Sequence, residues 1–183
     1  MEERRSSFFS ELAKLVLISF LIIVPLRLFI VQPFFVRGAS MEPAFEDGEY
    51  LLVDEISLRF RQIERGEVVV FRFPPEPTQF YIKRIIGLPG DRVVISNGKV
   101  QIFTAAHPNG LSIEEPYLAE GTQTGGDLSL SLGENEYFVL GDNRTASSDS
   151  RRWGKLDGRL ITGRVWLRAW PPERAQAFAV PQY

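Results

Sequence analysis

A chain of 183 residues has room for one ordinary domain and a short accessory segment, since domains mostly run about 100 to 150 residues. Its 21 Lys and Arg against 23 Asp and Glu are scattered and nearly balanced, which leaves no electrostatic footprint for a nucleic acid. With no cysteine and one histidine, His107, disulfides, thiolate catalysis and multi-histidine metal sites are excluded and a Ser-His-Asp protease is disfavoured, so hydrolytic chemistry must rest on Ser, Thr, Lys, Asp or Glu.

Residues 1–14, with Arg4, Arg5 and Lys14, read as a short cytoplasmic segment. From Leu15 to Val31 the chain is almost wholly apolar, interrupted by Ser19, Pro25 and Arg27, and close to the roughly 17 to 25 residues a helix needs to cross hydrocarbon. This predicts a transmembrane anchor over residues 15–35. Arg27 lies near its end, where a long stem can carry the guanidinium to the interface, and a proline is tolerated in a membrane helix. The competing reading is a cleaved signal peptide, whose apolar core should be only about 7 to 15 residues. Basic residues before the span favour a cytoplasmic amino terminus and place the bulk of the chain on the trans side.

From Gly48 onward short β-branched and aromatic runs alternate with Gly, Pro and Asn. Tyr50–Val53, Glu67–Phe73, Phe80–Ile86, Arg92–Ser96, Lys99–Phe103, Leu128–Leu132, Tyr137–Leu140 and Leu160–Ala169 are predicted strands. Their spacing implies a mainly β barrel or sandwich over residues 36–172. Asn97-Gly98 is a two-residue hairpin signal, because both turn positions need positive φ, and Leu88-Pro89-Gly90-Asp91 is a second turn. Residues 104–127 are polar and weakly periodic and read as a surface excursion that carries His107 in a solvated turn. Pro171 onward looks like a loose tail, with residues 173–183 outside the domain. No repeat, heptad or second span is evident.

Three segments could carry chemistry: Gly38-Ala39-Ser40-Met41-Glu42-Pro43, Lys83-Arg84 on a strand, and Gly141-Asp142-Asn143-Arg144 through Ser150-Arg151. Each alone has an ordinary explanation, as a turn hydroxyl, a solvated strand lysine and a polar loop. Together, in this order behind an amino-terminal apolar run, they resemble the type I signal peptidases. Ser40-Met41-Glu42-Pro43 looks like that family's nucleophile motif and Arg65-Gly66-Glu67-Val68-Val69-Val70-Phe71 like a structural one. Lys83-Arg84-Ile85-Ile86-Gly87-Leu88-Pro89-Gly90-Asp91 resembles the base motif, and Gly141 to Arg151 the last motif. Gly163 to Pro172 is similar to the closing strand.

The resemblance implies a membrane-bound serine endopeptidase with a Ser/Lys dyad, built on a largely antiparallel β fold. By the same resemblance it would remove amino-terminal signal peptides from exported preproteins, cutting after small residues at Ala-x-Ala type sites. Serine needs a neighbouring base, and lysine serves only when neutral; an unperturbed pKa of about 10.4 leaves well under about one percent free at pH 8. Burial among apolar groups lowers it, and Lys83 lies among Tyr81, Ile82, Ile85 and Ile86, although strand alternation leaves its facing open. Carried over by motif, Ser40 attacks and Lys83 takes its proton, while Ser147 holds the lysine amine by a hydrogen bond. Asp149 and Arg151 form a supporting ion pair. The Ser40 backbone N–H supplies one oxyanion donor, and Gly38, where some members carry a serine, leaves the second donor open. Ala44 replaces a threonine common after the motif's proline. No metal or organic cofactor is called for.

The implied partners are preproteins and the lipid bilayer, with no nucleic acid and no indication of oligomeric state. A substrate strand would add to a sheet edge and place alternate side chains in small pockets. Phe34, Phe35 and Val36 lead from the span into the nucleophile motif and would keep Ser40 near the bilayer surface. A cell membrane and a thylakoid membrane are both compatible. Two rivals are a self-cleaving repressor-type protease, which lacks an anchor, and a membrane-tethered β-domain that binds peptides without cutting them.

Overall fold

The computed structural model describes residues 11–21 and 31–178. Residues 11–21 form a helix, α1, whose apolar side chains, Leu15, Ile18 and Phe20 among them, are exposed. The expected anchor falls partly outside the described residues, at 22–30. Among those described, no helix is long and apolar enough to cross a membrane. The last five residues assigned to the anchor instead form a strand, β1 (Val31–Phe35), paired with β2 (Tyr50–Asp54) from Val31 opposite Asp54 to Phe35 opposite Tyr50. Residues 31–35 are extended because the edge of β2 offers their backbone groups partners.

The other strands are β3 (Val68–Phe73), β4 (Glu76–Gly87), β5 (Arg92–Ser96), β6 (Lys99–Phe103), β7 (Leu111–Ser112), β8 (Leu128–Ser131), β9 (Glu136–Leu140), β10 (Leu156–Asp157), β11 (Ile161–Trp170) and β12 (Gln176–Ala177), with a one-turn helix α2 (Ser150–Trp153) before β10. The larger sheet runs β1-β2-β11-β3-β4-β9-β10 with β12 added to β11; the smaller runs β7-β6-β5-β8, and every recorded pairing is antiparallel. The larger sheet stays open, so the expected barrel is not closed, while the mainly β, antiparallel class stands.

Alternation accounts for the register. In β5 and β6 every second residue is buried, and Val93, Ile95, Val100 and Ile102 pack with Ile86, Phe138 and Leu140 of the larger sheet. The β5–β6 turn has Asn97 at φ 51° and Gly98 at φ 74°, the paired left-handed conformation that the Asn-Gly dipeptide favours. From Lys83 to Gly87, β4 is buried at every position, since Ile85 faces one apolar cluster and Ile86 another. A strand covered on both faces gives up the alternation a half-buried strand shows.

Two sequence expectations need correction here. Residues 104–127 are more than a surface excursion: β7 pairs with β6, and Ile113 and Thr124 are buried. The carboxyl-terminal tail is not loose as far as it is described, because β12 pairs with Leu167 and Arg168 and the Phe178 ring lies 4.5 Å from that of Phe45.

Candidate active site

Ser40 sits in the loop that joins β1 to β2. The loop is closed at its base by Val36 N–H donating to Glu49 O at 2.8 Å and Gly48 N–H to Val36 O at 3.0 Å. Met41 and Phe45, both fully buried, plug it into the cluster of Val36, Leu51, Val53, Val70 and Val165. This anchoring leaves Ser40 at the rim. Gly38, at φ +85°, donates its N–H to Asp47 Oδ1 at 2.6 Å, so its amide is already engaged, and a side chain there would meet nothing within 4 Å. The Ser40 N–H has no acceptor among the described residues.

Lys83 lies on β4 opposite Val69 of β3, just before β9 begins to cover the other edge of β4 at Arg84. It is only 3 % exposed, so its facing is inward. Its Nζ donates to Ser40 Oγ and to Ile82 O, each at 2.7 Å, and lies 5.4 Å from the Tyr81 ring centroid. Burial pushes the ammonium down to about 8, against the pull of the Asp149 and Asp142 carboxylates, which favour the charged form. Sequence positions 40 and 83 thus meet as a hydroxyl and an amine of lowered pKa at hydrogen-bond distance.

The loop from Gly141 to Asp149 closes the site from behind. Asn143 N–H donates to Ser40 O at 3.1 Å, tying the loop to the nucleophile turn. Gly141 is pressed so closely against Ser147 Oγ and Ser40 O that a Cβ there would overlap both. Ser147, 3 % exposed, does not bond to the Lys83 amine in this arrangement; its hydroxyl finds no partner of good geometry, and the acceptor in its reach is the Asp149 carboxylate. Asp149 is fully buried and caps α2 by accepting from Arg151 N–H. It also takes a two-pronged ion pair from Arg151, Nε to Oδ1 and Nη2 to Oδ2, both at 2.8 Å, and the Gly141 N–H at 3.1 Å. Burial works to raise its pKa, but these donors hold it below the usual carboxylate value. The Asp149–Arg151 pair expected from the sequence is therefore in place.

A second buried pair carried no assignment in the sequence reading. Arg84 donates through Nε to Asp142 Oδ1 at 2.9 Å and through Nη2 to Oδ2 at 2.6 Å, and its Nη1 reaches Gly66 O at 2.8 Å. Burial raises the Asp142 pKa, opposed by Arg84. Both residues stand inside quoted motifs, yet no local pattern shows that residues 58 apart will pair. Likewise Arg144 engages Glu115, a partner from the excursion that no motif announces.

In front of the Ser40 hydroxyl and the Lys83 amine a cleft of about 590 Å³ opens between residues 34–40 and residues 79–83, with Ala146 and Ser148 on its wall. β9 pairs with β4 only from Arg84 onward, so Gln79 to Ile82 present an edge unpaired by any described strand on that side. His107 lies far along the chain in an exposed turn and does not line this cleft. The arrangement brings together a serine hydroxyl, a lysine amine of lowered pKa, an amide N–H with no acceptor among the described residues and an unpaired extended edge.

Residues 9–170 match the profile of the family described as "Signal peptidase, peptidase S26". A probable signal peptidase I-2 of Synechocystis sp. is 35% identical over 172 residues, spanning 90% of this chain and 74% of that protein. Signal peptidase IB of Staphylococcus aureus is 36% identical over 171 residues, spanning 84% of this chain and 85% of that protein. Among solved structures, a signal peptidase I from Enterococcus faecalis matches with a TM-score of 0.48 and 29% identity, over 57% of this chain and 97% of that one.

Proposed function

We propose, from the premise that this chain belongs to the signal peptidase family, peptidase S26, that Ser40 and Lys83 are the nucleophile and base with which it removes signal peptides from preproteins. The reaction follows from the family and its relatives; the roles rest on one observation, the 2.7 Å approach of the Lys83 amine to the Ser40 hydroxyl at the floor of an open cleft.

The neutral Lys83 amine takes the Ser40 proton as Oγ bonds to the scissile carbonyl carbon, and the carbonyl π electrons move onto oxygen. The Ser40 N–H stabilises that oxyanion, a role its lack of another acceptor supports. Collapse expels the new amino terminus, which receives its proton from Lys83, and leaves an acyl ester on Ser40. Water, deprotonated by the same amine, then attacks the ester carbon; the bond to Ser40 Oγ breaks, Lys83 returns the proton to Oγ, and the signal peptide leaves as its carboxylic acid. Ser147 orients the lysine once Ser40 Oγ has turned to the substrate, since its buried hydroxyl lacks a well-aligned partner. Asp149 with Arg151 fixes the loop that carries it.

The preprotein adds as a strand along Gln79 to Ile82, which keeps the peptide extended and puts alternate side chains into the cleft wall. Small residues before the scissile bond, of Ala-x-Ala type, suit a wall narrowed by Phe34, Leu51 and Tyr81. The chain works at a membrane, held by the apolar segment that begins in α1. Phe35, Tyr50, Trp166 and Trp170, each about half exposed on the β1-β2-β11 end, add aromatic groups of the kind that seat at headgroup level. The test is incubation of the detergent-solubilised chain with a preprotein bearing an Ala-x-Ala site and mapping of the new amino terminus. Ser40→Ala should give no product. Binding without cleavage by the unaltered chain would instead support the non-catalytic peptide-binding reading.

A further inference from the structure

We propose that Glu115, assisted by Thr124, is a positioning residue for signal-peptide cleavage, acting through the buried Arg144 guanidinium to hold the Gly141–Asp149 loop against Ser40 and Lys83. The inference rests on the Ser/Lys reading above and extends it to a segment outside the four motifs.

Arg144 has no exposed side-chain surface. Its Nε donates to Gly141 O at 3.1 Å, curling the loop onto itself. Its Nη1 donates to Glu115 Oε2 at 3.1 Å and to Thr124 Oγ1, and its Nη2 to Glu115 Oε1. A guanidinium so buried needs a counter-charge, and Glu115 supplies it with both oxygens. Glu115 is itself held. It lies two residues beyond the buried Ile113, and the Tyr117 hydroxyl donates to its Oε1 at 2.7 Å. Thr124 N–H donates to Gly98 O at 2.9 Å, so the clamp is rooted in the β5–β6 turn.

What Arg144 holds is the part of the loop that touches the reacting groups. Gly141 packs on Ser147 Oγ and Ser40 O with no space for a methyl group, and Asn143 N–H bonds Ser40 O. The same segment reaches the site twice more: the Tyr117 ring lies 3.8 Å beneath the Arg84 guanidinium, and Gly125 O accepts from Arg151 Nη1 at 3.3 Å. A loop packed without slack passes a displacement at Arg144 on to Ser40 and Ser147, and a shift of about 1 Å in a reacting group can cost about 100-fold in rate.

The experiment measures kcat and KM of the full-length chain on one preprotein for Glu115→Ala, Glu115→Gln, Arg144→Met and the double variant, normalised to folded protein by near-ultraviolet circular dichroism. Glu114→Gln, an exposed neighbour, serves as control. Glu115→Ala should lower kcat about 30- to 100-fold with KM within about twofold, the signature of lost transition-state geometry, and Glu115→Gln, which keeps one acceptor, should recover part of the rate. In the Arg144→Met background, Glu115→Ala should cost less than about twofold, since both changes act through one contact. An unchanged kcat per folded molecule, a loss confined to KM, or losses that multiply in the double variant would overturn the proposal. Should Glu115→Ala fold too poorly to assay, Glu115→Gln decides by the same criteria, because its shape and one hydrogen bond are kept. Ser40→Ala and Lys83→Arg run alongside: activity in either would sink the dyad, whereas silent dyad variants beside a fully active Glu115→Ala would sink only the clamp.

Discussion

At the scale of residues, the Lys83 amine is the group whose surroundings decide the chemistry. Lys83→Arg keeps a positive charge at this place but introduces a group that no protein deprotonates, so cleavage should be undetectable; a rate near that of the unaltered chain would remove Lys83 from the base role. For the unaltered chain, kcat/KM should rise with pH and level off through about 8, the value to which burial brings the amine. The same burial has a stability signature. The folded chain releases this proton near 8 and the unfolded chain near 10.5, so between those values the unfolded state binds more protons and stability rises with pH. Below about 8 the cost of the buried ammonium is complete, and it is gone above the unfolded value. A depression of this size corresponds to roughly 3 kcal/mol. Lys83→Met, similar in length and uncharged, should therefore raise the melting temperature at pH 7, with the gain shrinking toward pH 10; thermal unfolding across that range measures it. Ser40 and Lys83 were both legible by motif, but the lysine's inward facing was not, because β4 is covered on both faces and strand alternation loses its meaning there.

At the scale of elements, the site is made by one loop meeting one strand, and close packing sets its tolerance. Gly141→Ala would drive a methyl group into Ser147 Oγ and Ser40 O, so cleavage should fall at least about 100-fold while the sheets persist. Circular dichroism and a cleavage assay read the two separately, and a fully active Gly141→Ala would show that the loop can yield. Eight strands read from alternation are present with shifts of a few residues at their ends, and the Asn97-Gly98 turn has the positive φ values its chemistry requires. Of the strands that alternation missed, β7, β10 and β12 have two residues each, and β1 falls in the stretch assigned to the anchor. Each is defined by the partner it finds, which no local pattern contains: β1 by β2, β7 by β6, β10 by β9 and β12 by β11.

At the scale of the whole molecule, the β1-β2-β11 end carries the half-exposed aromatic side chains Phe35, Tyr50, Trp166 and Trp170. A chain shortened to begin just before Val31, so that β1 keeps its pairing, should still bind vesicles of mixed anionic and neutral lipid. Replacing Trp166 and Trp170 together by serine should weaken that binding by about tenfold or more, given the apolar area each ring withdraws from water. Equal binding in a vesicle sedimentation assay would show that this face does not meet the bilayer. Composition and the order of four motifs were enough to name the family and the β class and to nominate Ser40 and Lys83 as the pair to test, because those features are local in the chain and chemically distinctive. Tertiary structure alone decided that the larger sheet stays open, that Val31–Phe35 at the end of the expected anchor is a strand, and that Glu115 and Thr124 of residues 104–127 meet the Arg144 guanidinium. These are matters of which distant groups satisfy one another's hydrogen bonds and charges, and a buried guanidinium such as that of Arg144 takes its partner from whatever the fold brings within reach.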